Sequence, residues 1–317
     1  LLRGLFGIDK ETLQDLCFTF DNLSIFKTAL QSGTSVFKKV ASIFVDEKND
    51  KDIENEEYEN FIKKPINWHR QNALIKFDEI LDIKDFEKID SVRELDDICQ
   101  DIEKKTIACQ KEINKNFKGK NIIDFQMHNI SVLEKAFSKM DKDEQKEIGK
   151  EIDAHFNKLS KKDKSFSQLI KKIKSEFGVK DFNYKSIKKI LNNKDYLRKL
   201  LIIDDEQGQF IRFILFELVI DIGKSLVKKT KFYGNMMAGS TAVLFIFTGG
   251  LEALLAGGFT GVLDRFRGKK AKMTILCYSV FLISLSSLDN LDPFDDIKEY
   301  IKEHNKDEFS PEEEVSF

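Results

Sequence analysis

VRELDDICQDIEKKTIACQKEI, residues 92–113, carries the most regular pattern in the chain. Val92, Leu95, Cys99, Ile102, Thr106, Cys109 and Ile113 alternate steps of three and four, the spacing of a helical seam. Arg93, Glu94, Asp96, Asp97, Glu103, Lys104, Lys105 and Lys111 fill the positions between. Such a helix needs an apolar partner. The preceding segment offers one: Pro65 suits a first helical position, where its missing N–H costs nothing, and Trp68, Leu74, Ile75, Phe77, Ile80 and Leu81 carry the helix to about Ile83. Two such helices with a short connection are expected to form an antiparallel hairpin. Self-association through 91–117 is the alternative. The run spans barely four heptads, which favours packing within the chain.

The rest of the chain repeats the helical period. Asp9 is a candidate N-cap before Leu13, Leu16, Cys17 and Phe20, and short helices are expected around 24–30 and 35–44. The acidic run 46–60 reads as a solvated linker. Lys118-Gly119-Lys120 closes the first unit, 1–118. Helices then follow over 131–140, 142–159, 165–177 and 186–203. Asp141 with Glu144 makes a capping-box start, and Gly178 is a good C′ residue after Phe166, Leu169, Ile170, Ile173 and Phe177. No alternating strand pattern competes, so the expected fold is all-α, a multi-helix bundle.

Composition narrows the function. The 317 residues hold 52 Lys+Arg against 54 Asp+Glu and are 33% charged, too dense for a polytopic transporter, while 41% apolar content excludes wholesale disorder. The 28 Phe fit AT-rich coding. Cys17, Cys99, Cys109 and Cys277 show no CxxC or close spacing, as expected of thiols in a reducing compartment. The chain opens on Leu1 rather than Met, as a fragment would. LLRGLFGIDKETLQDLCF (1–18) is no secretory signal, because Asp9, Lys10 and Glu11 interrupt it. His69, His128, His155 and His304 lie far apart without HExxH spacing, and no Gly-x-Ser-x-Gly elbow or Gly-rich phosphate loop is present. His155, beside Ile152 and Phe156, reads as a structural residue. No catalytic residue, cofactor or metal ligand is assigned, and the expectation is a non-enzyme. Glu217 and Asp221 are four apart, but Lys224 neutralises the pair better than a metal would.

Two blocks carry the functional signal. Between Lys158 and Lys199, within the basic region 119–231, fourteen basic residues face four acidic ones, a local charge of +10. Thirteen of the fourteen are lysine. Nucleic-acid readout favours Arg, whereas attraction to an anionic lipid surface needs only point charges. The second block is 232–288. Residues 232–263 carry a single charge, Glu252, and 273–288 carry none; basic residues flank the first run on both sides and precede the second. A run of 20 uncharged residues just suffices to span a bilayer, one of 16 falls short, and a break at Gly249-Gly250 suits an interfacial hairpin. The candidate membrane-binding residues are therefore Lys228, Lys229, Lys231, Phe245, Phe247, Gly249, Gly250, Glu252, Gly257, Gly258, Arg265, Arg267, Lys269 and Lys270. The competing expectation makes 232–288 the buried core of a soluble interaction or chaperone-like protein. The tail 289–317 is acidic, with Ile297, Tyr300 and Ile301 allowing one short helix and disorder expected beyond Asn305.

LEKAFSKMDKDEQKEIGKEIDA (133–154), the Gly-rich apolar stretch and the AKMTIL restart (271–276) together resemble the YaaW-type bacterial family, which is grouped with ubiquinol–cytochrome c chaperone-like helical proteins. The resemblance covers about residues 120–290. It implies a bacterial, helical, non-enzymatic protein and no more, and carries no site residue over to this chain. The expected location, from the lysine block and the apolar run, is the cytoplasm or the cytoplasmic face of the inner membrane.

Overall fold

The computed structural model describes residues 1–21, 60–83, 89–162, 164–203, 206–229, 269–286 and 293–305. Their regular secondary structure is all helical, with no strand among the described residues, so the fold is all-α. The helices expected at 24–30 and 35–44, nearly all of the acidic run 46–60, and the tail beyond Asn305 lie outside the described residues.

Helix α11, Lys269–Leu285, sits at the centre. From Met273 to Leu285 its apolar side chains are at most 4% exposed. It is apolar all round because helices pack on all its sides: α1 (Leu2–Gly7), α2 (Lys10–Asp21), α3 (Ile66–Leu81), α4 (Val92–Ile113), α5 (Ile122–Lys139) and α10 (Glu206–Lys229). The membrane-binding expectation for 273–286 is therefore corrected. These residues are the middle of the bundle. No helix of the described residues is long and apolar enough to cross a membrane.

The seam of α4 is buried at Leu95, Cys99, Ile102 and Thr106, with Ile98 and Ile107 beside it. Its principal neighbour is α11, where the Cys277 thiol donates to the Thr106 carbonyl at 3.7 Å. Helix α3 is a lesser contact than the hairpin expectation supposed. Each fully buried Leu, Ile or Phe contributes about 1.5–3 kcal/mol by leaving water, and one continuous cluster draws such residues from Leu5 to Ile301. The segment boundaries drawn from sequence thus do not separate cores.

Local signals fix the helix ends. Asp9 accepts from the Thr12 amide at 2.8 Å. Asp141 and Glu144 cap one another's amides at 2.9 and 3.0 Å, opening α6 (Lys142–Lys162). Gly178, at φ +59°, ends α7 (Lys164–Glu176). Its amide reaches the Ser175 carbonyl and that of Val179 the Lys174 carbonyl, the paired bonds of a Schellman end. Three boundaries differ from expectation. Pro65 caps α3 from one position earlier than expected. Helix α5 begins at Ile122, not 131, because Asn121 accepts from the Asp124 amide at 2.9 Å. The run 186–203 is two helices, α8 (Tyr184–Asn192) and α9 (Lys194–Ile202), since Asn193 ends one and caps the next.

The last helix, α12 (Phe294–His304), buries Ile297, Tyr300 and Ile301, the three residues singled out from sequence. It is anchored by a polar cluster around Arg70. That guanidinium donates to the carbonyls of Leu5 (3.2 Å) and Phe6 (3.1 Å) and to Asn67 Oδ1 (2.6 Å), while the Asn67 amide reaches Glu303 at 2.8 Å. Burial lowers the Arg70 pKa, with Asp296, Tyr300, Glu299 and Glu303 opposing the shift. The thiols of Cys17, Cys99 and Cys277 are buried and that of Cys109 half-buried, and none of the four is in a disulfide. Burial pushes Cys99 up to about 12, leaving it inert at neutral pH.

Candidate anion-binding surface

Helices α6 to α9 hold the lysine-rich block. On α7 the apolar face of Ile170 and Ile173 is buried, leaving Lys171 and Lys172 exposed; on α8, Ile187, Ile190 and Leu191 turn inward while Lys185, Lys188 and Lys189 face water. Lys180 and Lys199 are exposed as well. Three basic residues of the block are paired: Lys174 with Asp153 at 3.8 Å, Lys194 with Glu134 at 3.7 Å, and the exposed Arg198 with Asp124. The Asp124 carboxyl is held below its ordinary range by the Lys120 amide first and by Arg198 second. By contrast, Lys171, Lys172, Lys180, Lys185, Lys188 and Lys199 form no ion pair with another described residue.

A groove of about 560 Å³ opens between α6 and the start of α8. Gly149 creates it: a Cβ there would stand 2.8 Å from the Tyr184 nitrogen, so only glycine lets the two helices cross this closely. Lys146 and Lys150 line one wall and Lys185 the other, with Asp153, Asp181, Asn157, Asn183 and Tyr184 between. Lys146 bonds Asp143 at 2.9 Å, which raises its pKa, and Tyr184 adds to that shift. The carboxylates are engaged in structure. Asp153 accepts from the Phe182 amide at 3.4 Å and from Asn157 at 3.0 Å, and Asp181 accepts from the Asn183 side chain. Asn183 in turn caps α8 through the amides of Lys185 and Ser186.

Of the membrane-binding residues expected from sequence, Lys228 and Lys229 end α10 and Lys269 and Lys270 begin α11. Lys231, Phe245, Phe247, Gly249, Gly250, Glu252, Gly257, Gly258, Arg265 and Arg267 lie outside the described residues. The groove was missed in the sequence because its lining comes from two helices separated by α7. Its one local signal was Gly149, a glycine inside a strongly periodic helix, where it costs about 1 kcal/mol unless a close neighbour requires it.

No group of three His, Cys, Asp or Glu residues among the described residues is placed to hold a metal ion. Comparison with family models, curated proteins and solved structures gave no match for this chain. Function must be argued from the surface itself.

Proposed function

We propose that this is a non-enzymatic helical protein that attaches to an anionic membrane surface, as an adaptor or a membrane-perturbing effector at the bacterial cytoplasmic face. The observation that carries it is the set of exposed lysines on α7, α8 and α9 that form no ion pair with another described residue. Each lysine brought near an anionic leaflet contributes about 1 kcal/mol, screened by salt. Lysine rather than arginine suits a diffuse anionic surface and not bidentate readout. The apolar share of attachment falls to 232–263, the run with Glu252 as its single charge, whose sequence continues from Lys228 and Lys229 and returns to Lys269 and Lys270. The resemblance of 120–290 to the YaaW-type family is not needed for this proposal.

A soluble interaction protein is the competing function, and the burial of 273–286 favours it, since that part of the apolar block serves the core. Washing a membrane fraction separates the two. Attachment predicts recovery in the membrane pellet at low salt and release by high salt or carbonate. Full recovery in the low-salt soluble fraction rejects attachment.

A further inference from the structure

We infer that α12 is a detachable strap: it opens as a unit while the rest of the bundle stays folded, and uncovers a polar floor built on α3. The inference does not rest on membrane attachment. Helix α12 lies on the outside of the bundle, with Phe294, Asp295, Lys298, Glu299 and Lys302 exposed and α4 as its principal neighbour. Its buried apolar side chains are Ile297, Tyr300 and Ile301, and Phe6 meets the Tyr300 ring edge-on at 5.5 Å. A helix of eleven residues is too short to persist alone in water, so α12 melts when it leaves. The chain entropy released then offsets much of what three buried side chains contribute.

The surface beneath α12 sets this contact apart. Asn67, Arg70 and Gln71 of α3 face it, and they are polar residues only 8%, 4% and 8% exposed. Asn67 donates to Glu303 at 2.8 Å, Gln71 accepts from the Tyr300 hydroxyl, and Asn305 donates to the Ile89 carbonyl at 3.3 Å. Water can take the place of α12 at each of these groups, so the exchange has a small net cost. The Arg70 bonds to Leu5, Phe6 and Asn67 all lie within α1 and α3, and they survive when α12 departs. Burial acts on Arg70 more strongly than the opposing charges of Asp296, Tyr300, Glu299 and Glu303, so hydration of the opened floor relieves its guanidinium. The central helix offers no such exit. Its apolar side chains from Met273 to Leu285 are at most 4% exposed, and displacing α11 would bring all of them into water.

Cys99 supplies a chemical reporter. It is 1% exposed on α4, and after burial its charge is the second cause that raises the Tyr300 phenol, which places the thiol near that ring. The test is native-state hydrogen exchange of the full chain in urea below its unfolding transition, read by mass spectrometry. In wild type, the amides of 294–304 are expected to exchange through an opening populated about tenfold or more above that of 269–285, and with a weaker urea dependence. Phe281→Leu, which loosens the core around α11, should speed exchange of 269–285 about tenfold and leave 294–304 unchanged. Ellman's reagent in native buffer should modify Cys99 faster than Cys17 or Cys277. Three results overturn the proposal: a urea dependence of 294–304 equal to that of 269–285, equal acceleration of both segments by Phe281→Leu, or a Cys99 that reacts no faster than Cys277. The first and third are read on wild type, so neither depends on how the variant folds.

Discussion

Gly4 meets Ile283 backbone to backbone: a Cβ on Gly4 would stand 1.7 Å from the Ile283 carbonyl oxygen. Helix α1 can lie on the central helix only because residue 4 has no side chain. Gly4→Ala must push α1 away from α11, and overpacking of this kind costs about 1–3 kcal/mol. The expected outcome is a lower urea midpoint with an unchanged m value.

Arg70 ties α3 to α1 through the Leu5 and Phe6 carbonyls, and its bond to Asn67, which reaches Glu303, extends the link to α12. Replacing it by methionine keeps much of the volume but strands two carbonyls and an amide oxygen away from water. Loss of about 3 kcal/mol or more is expected. Because Asn67 also bonds Glu303, amide exchange along α12 should accelerate more than along α7.

His69 makes stability depend on pH. Its ring is buried, with Nε2 at 3.0 Å from the Gln14 amide nitrogen. Burial first, then the charge of Lys10, lower its pKa from 6.5 to about 4, while the Lys64 backbone acts in the opposite direction. Between those values the unfolded imidazole binds a proton that the folded one does not. Stability therefore falls as pH drops from 6.5 towards 4, by up to about 1.4 kcal/mol per pH unit. His69→Gln should flatten the slope of unfolding free energy across this window, measured against wild type so that carboxylate titrations cancel.

The features legible in the sequence were those fixed by neighbours along the chain. Asp141 and Glu144 cap each other three residues apart, Gly178 needs only its own φ, and Ile297, Tyr300 and Ile301 share one helical face. Features set by distant partners were not legible. The seam at Leu95, Cys99 and Ile102 showed that α4 packs, but its chief partner lies some 170 residues away in α11. Residues 273–286 are apolar on every side, which a bundle centre and a bilayer demand alike, so periodicity could not separate them. The break at Asn193 was hidden because α8 and α9 each continue an apolar period across a single capping residue. The lysine block was visible as charge. Which of its basic residues are paired emerged only from the positions of Asp124, Glu134 and Asp153.

Flotation on vesicles tests the central claim most directly. Wild type and a Lys171→Glu/Lys172→Glu/Lys188→Glu/Lys199→Glu variant are mixed at low salt with phosphatidylserine-containing or purely phosphatidylcholine vesicles. All four positions are exposed, so each substitution should change the unfolding free energy by no more than about 0.5 kcal/mol and the variant should remain folded. Wild type is expected to float with the anionic vesicles and not with the neutral ones, and the variant with neither. Wild type that stays at the bottom of the gradient with anionic vesicles, or a variant that floats as well as wild type, would contradict membrane attachment through the lysine surface.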